Sequence, residues 1–283
     1  MSSIREALVD SPNPLQLDGI EFVEYATSKP QALGQVLEVM GFRPVARHRS
    51  REVLLYRQGD MNVIVNAHEP PGETPCISAI ALRVRDAASA YQKVIAKGGW
   101  AVPTKVEVME LNIPAIHGVG SSRIYFVDRY TEFSIYDVDF VPIPTVDQKP
   151  PALAGMHWFG VVQYVGLDRI NDWIEFYGEL FGFEVTPSET HFGVLHAGRI
   201  LRSPCGKFFV QLIEPLPDLP DDESPERFER VGIGAADIPA AMAELRQRGV
   251  TFVDSHGTGA DARGAITETW LGGVWFELVH DER

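Results

Sequence analysis

The sequence predicts an α+β protein of tandem βαβββ units, arranged as two halves that each form an open, curved, antiparallel-rich barrel sheet with helices outside. Three observations carry this. First, a helix closed by glycine and followed at once by an aromatic strand occurs twice, at Pro30–Val45 ending through Gly41-Phe42 and at Asn171–Val185 ending through Gly182-Phe183, 141 residues apart. Second, a short strand, an Asp at a helix start, about three helical turns, a Gly stop and another strand occur in Ala81–Pro103 with Asp86 and in Gly232–Asp254 with Asp237. Third, the proline-rich stretch Pro142–Ala154 lacks apolar periodicity and reads as a connection between halves.

Taken in chain order, β-branched and aromatic enrichment predicts strands at Gly19–Tyr25, Val53–Arg57, Asn62–Asn66, Ile77–Val84, Arg123–Asp128 and Phe133–Val141 in the first half. In the second half the same signal predicts Trp158–Val165, Phe208–Ile213, Arg230–Ala235, Ile266–Trp270 and Val274–Val279. Helices are expected only at the four repeat positions. The acidic, proline-bearing segment Leu216–Pro225 should be a loop joining the third unit to the fourth. The expected domains are 1–145 and 155–283, with 146–154 as linker; 283 residues suit two compact halves.

A net charge of −14 would repel both a phosphate backbone and an anionic membrane surface, and no Lys/Arg cluster offsets it, so nucleic acid and lipid are not expected partners. No run has the apolar length of a membrane span, and the N-terminal residues lack a signal-peptide core, which gives an expectation of a cytoplasmic protein. Cys76 and Cys205 stand in no metal-type spacing and fit a reducing compartment. A phosphate-cradling glycine loop after a strand, a Gly-x-Ser-x-Gly elbow and a Cys-x-x-Cys pair are all missing from the sequence, so nucleotide, serine-hydrolase and zinc-ribbon chemistry lack support.

The segments VMGFRPVARHRS and LLYRQGDMNVIVN, followed by ALRVRDAASAY, MELNIPAIHGVG, IYFVDRY and SIYDVDFV, resemble bacterial 4-hydroxyphenylpyruvate dioxygenases across the whole first half. These are iron(II) enzymes of the vicinal-oxygen-chelate superfamily, which has the glyoxalase-like fold. The resemblance implies a scaffold first half and a second half whose concave sheet face holds Fe(II) through two His and one Glu. It also implies a homo-oligomer and an aromatic 2-oxo acid as substrate. Such a triad leaves metal positions open for substrate and O2.

Matched residue by residue, the second half departs from that pattern. Glu277, in Val274-Trp275-Phe276-Glu277-Leu278, takes the carboxylate position, and strand alternation sets Trp275 on its face as a substrate-binding candidate. Counting back from the helix puts Gly160 where the first His would stand; His157, three residues earlier, reaches the ligand face only through a β-bulge. The second His position falls on Arg230, whose guanidinium has no lone pair for a metal. The family's substrate-orienting glutamine falls near Gly264, and the chain ends before the family's closing C-terminal helix. His191, His196, Cys205, His256 and His280 lie off the matched strands.

The candidate site is therefore Glu277 and Arg230 as catalytic or binding groups, Arg230 and Trp275 for substrate, and Glu277 with His157 for a metal. Three readings stay open. One is an Fe(II) oxygenase of an aromatic 2-oxo acid. A second is a metal-free module in which Arg230 binds a small anionic ligand, with no cofactor. The third is non-oxidative catalysis with Glu277 as base and Arg230 as electrophile, although a Glu paired with Arg is held ionised and is a weak base.

Overall fold

A computed structural model describes residues 12–68, 72–103, 111–131, 133–187, 189–194, 198–215, 225–253 and 263–283. The first half runs β1 (Leu17–Ala26), α1 (Pro30–Val39), β2 (Arg43–His48), β3 (Val53–Gln58), β4 (Met61–Asn66), β5 (Cys76–Val84), α2 (Ala87–Ala96), β6 (Ala115–His117), β7 (Arg123–Val127), α3 (Ile135–Asp139) and β8 (Phe140–Pro142). After a 3-10 turn at Leu153–Gly155, the second half runs β9 (His157–Tyr164), α4 (Ile170–Phe181), β10 (Glu184–Val185), β11 (Arg199–Arg202), β12 (Phe209–Ile213), β13 (Arg227–Ala235), α5 (Ile238–Gln247), β14 (Gly264–Ile266) and β15 (Phe276–His280).

The four main helices begin and end where local chemistry demands. Asp86 accepts the Ser89 N–H at 2.7 Å and Asp237 accepts the Ala240 N–H at 2.9 Å, each capping a helix start. Pro30 occupies the first turn of α1, and Gly182 closes α4 in the left-handed region at φ 78°.

Two open sheets result, in strand order β6-β7-β5-β1-β4-β3-β2-β8 and β10-β11-β12-β9-β13-β15-β14. Antiparallel pairs predominate, with parallel pairing at β1–β4, β5–β7, β9–β12 and β13–β15. The helix-bearing faces of both sheets merge in one apolar core: Val23, Leu37, Ile80 and Phe126 share it with Val161, Phe181, Ile233 and Leu245. Smaller clusters fill the opposite faces, Phe22 to Phe140 in the first sheet and Phe159, Val162, Phe192 and Val279 in the second.

Three expectations need correcting. Phe133–Val141 is not one strand: a reciprocal capping box between Ser134 and Asp137 winds α3, which buries Ile135, Tyr136 and Asp139 at helical spacing before β8 begins. Helices are thus not confined to the repeat positions. Ile266–Trp270 is also displaced, since the strand is Gly264–Ile266 and Trp270 instead bridges Val274 across a tight turn. The expected loop at Leu216–Pro225 lies, save its last residue, outside the described residues.

Candidate functional site

The second sheet's open face is set by two β-bulges in the β9–β13 pair. Gly232 stands opposite Gly160 and Ile233 opposite Trp158, which leaves Phe159 as an extra residue; Glu229 is extra on β13. The first sheet carries the corresponding irregularity, with Ile20 opposite Leu82 and Phe22 opposite Ala81. The bulge at Phe159 turns His157 onto the face of Gly160 and Val162, opposite Gly234. A gapless reading of the strand put it on the other face, and the extra residue is the physical reason for the difference.

Across this face Gln211, Val162 and Arg230 form one row, and Gly160, Gly232 and Glu277 the next. Arg230 and Glu277 meet there, with Nε donating to Oε2 at 2.7 Å and both side chains fully buried. Trp275 covers the guanidinium, 4.6 Å from ring centre to Cζ. Arg230 Nη2 donates to Gln211 Oε1 at 3.4 Å, while Nη1 is buried with no hydrogen-bond partner among the described residues. The other Glu277 oxygen accepts the Val194 N–H at 2.9 Å.

The structure thus brings Glu277, Arg230 and Trp275 together, while His157, on the same face, bonds to other groups. The His157 imidazole pairs through Nε2 with Asp281 at 2.9 Å and through Nδ1 with the Gly155 carbonyl at 3.2 Å. Burial raises the Asp281 carboxyl, but hydrogen bonds from Arg283 and His157 outweigh it and hold the group below its usual value. Of the remaining donors, His191 and His280 are exposed, Cys205 lies beside Ser203, and His196 and His256 are outside the described residues.

As folded, these residues do not fit an iron centre. Arg230 offers no lone pair, and its guanidinium and the Val194 amide occupy both Glu277 oxygens. Gly160 has no room for a side chain: an added Cβ would lie 2.1 Å from the Phe209 carbonyl oxygen. Among the described residues no group of three or more His, Cys, Asp or Glu is placed to hold a metal ion.

Three contributors escaped sequence reasoning: Gln211, Val194 and Phe192. Phe192, fully buried, lies in the cup against Phe159, with ring centres 5.0 Å apart and planes at 82°. The lone signal for it was an aromatic residue followed by glycine in a segment that matched no strand.

A family model, described as the N-terminal part of hydroxyphenylpyruvate dioxygenase, matches residues 11–141. The 4-hydroxyphenylpyruvate dioxygenase of Pseudomonas aeruginosa is 31% identical over 89% of this chain and 76% of its own length. Hemolysin VllY of Vibrio vulnificus is 34% identical over the same shares, 89% and 76%. Among solved structures, a mutant 4-hydroxymandelate synthase from Streptomyces coelicolor superposes with a TM-score of 0.74 at 16% identity, covering 94% of this chain and 93% of the other, a likeness of fold. The chain is a glyoxalase-like α+β protein with a charged pair in its second cup. It belongs to the 4-hydroxyphenylpyruvate dioxygenase family. Among the described residues no helix is long and apolar enough to cross a membrane.

Proposed function

We propose that this chain is a metal-free member of the dioxygenase family that binds a small aromatic 2-oxo acid, or a similar anion, through Arg230. The observation that carries the reading is the buried guanidinium with Nη1 left unpartnered. A buried cationic donor without an acceptor is costly, and a ligand carboxylate placed beside it would supply the missing hydrogen bond. Trp275, stacked on the guanidinium, supplies an apolar wall for an aromatic ligand. Glu277 serves in this reading to neutralise and orient Arg230, so the site binds rather than oxidises, and no cofactor is required.

Metal content and binding test this together. After anaerobic iron(II) loading and desalting, wild type and Glu277→Ala should both retain essentially no iron. Titration with 4-hydroxyphenylpyruvate in the presence of EDTA should show saturable binding that weakens about tenfold or more in Arg230→Gln, the loss of a charge-assisted hydrogen bond. About one iron per chain, abolished in Glu277→Ala, would instead establish the oxygenase reading. That alternative draws on kinship and on the bulge that sets His157 on the same face as Glu277. Assembly as a homo-oligomer belongs to the proposal and is checked by sedimentation of the full chain.

A further inference from the structure

The second cup is filled by the chain itself. Phe192 Cζ would lie 2.6 Å from a Cβ added at Gly232, so the ring rests directly on the β13 backbone, in the row that holds Gly160 and Glu277. Gly193 follows at φ +60°, where an added Cβ would lie 2.1 Å from Glu277 Oε1, and its Cα is 3.0 Å from where a Cβ on Gly264 would stand. Val194 then donates its N–H to Glu277. Three glycines, at 193, 232 and 264, thus make space for a loop that puts a benzyl group in the cup and a backbone N–H on its carboxylate.

We infer that Phe192 is a resident pseudo-ligand: it occupies the slot for a single aryl ring, and an arylpyruvate enters by displacing it. The inference rests on the anion-binding reading above. The slot's other walls are aromatic, with Phe159 edge-on to Phe192 and stacked on Phe209 at 4.8 Å between centres. Its floor is glycine, which admits the flat face of a ring and little else. Arg230 lies two residues along β13 from Gly232 on the same face, roughly 7 Å between Cα atoms, a span that one arylpyruvate bridges from ring to carboxylate. A ligand without a ring gains nothing from the slot, so Phe192 sets both affinity and class.

Apparent affinity falls in proportion to the fraction of molecules with the slot open, so a slot closed in roughly nine of ten molecules weakens binding about tenfold. The test titrates phenylpyruvate and pyruvate, with EDTA present, into wild type, Phe192→Ala and Gly193→Ala. The second variant keeps the benzyl group but forces the loop away from Glu277, so it serves if Phe192→Ala fails to fold, as circular dichroism and melting will tell. The expected result is phenylpyruvate binding about tenfold tighter in either folded variant, with pyruvate unchanged. A gain below about threefold in both, or an equal gain for pyruvate, overturns the pseudo-ligand and leaves Arg230 as an anion site. Absence of binding by either acid to all three proteins overturns the anion reading and this inference with it.

Discussion

At the residue scale, Arg230 holds its charge where water does not reach, paired with the Glu277 carboxylate at 2.7 Å. Removing one member of a buried ion pair strands the other, at a cost of about 3–5 kcal/mol, whereas replacing both with apolar residues of similar size is often neutral. We expect Glu277→Ala to lose about 3–5 kcal/mol in urea unfolding and Arg230→Met/Glu277→Leu to recover most of it. A loss under about 1 kcal/mol in the single variant would mean that the guanidinium finds water or another acceptor. That these residues could meet was legible only through the resemblance, which sets Arg230 and Glu277 at positions facing one cavity. Phe192 was not: it reaches the cup from a loop, and periodicity carries no information about where a loop folds back.

Among the elements, the helices were the most readable. Asp86 and Asp237 announce their helices in sequence and cap them in space. Alanine at either position should cost about 1 kcal/mol, read as a lowered melting temperature, and the two variants should lose similar amounts because the caps are alike. Strands were legible by composition, but their bulges were not. One extra residue at Phe159 leaves no mark in an apolar run such as HWFGVVQY, yet it decides which way His157 points. α3 was missed for a related reason: FSIYDVDFV is rich in strand-forming residues, and only the Ser134–Asp137 capping box tips it into a helix turn.

For the whole molecule, two sheets share one core, which bears on the expected division at residues 146–154. Because Val23 and Phe126 pack in the same cluster as Val161 and Ile233, the halves should unfold together in a single cooperative transition, with different optical probes superimposing. Separate transitions would mean that the halves hold independently. The His157–Asp281 contact joins the start of β9 to the residue after β15, and it adds an acid-side dependence. Asp281 is lowered in the folded state, so its contribution is present above the unfolded carboxyl value of about 4 and is lost as pH falls through the folded value. Wild type should therefore exceed Asp281→Asn in stability at pH 7, and the difference should close as the pH drops below about 4.

The glycine at position 160 also limits what descent can undo. Placing imidazoles where the resemblance looks for them takes two codon changes, Gly160→His and Arg230→His. The first would drive a Cβ to 2.1 Å from the Phe209 carbonyl, and Phe192 still fills the adjoining space over Gly232. The double variant should take up no iron, and relief should require opening the slot as well. Packing, as much as the loss of imidazoles, thus bars a metal from this cup: the Phe209 carbonyl and the Phe192 ring hold the space that a ligand side chain would need.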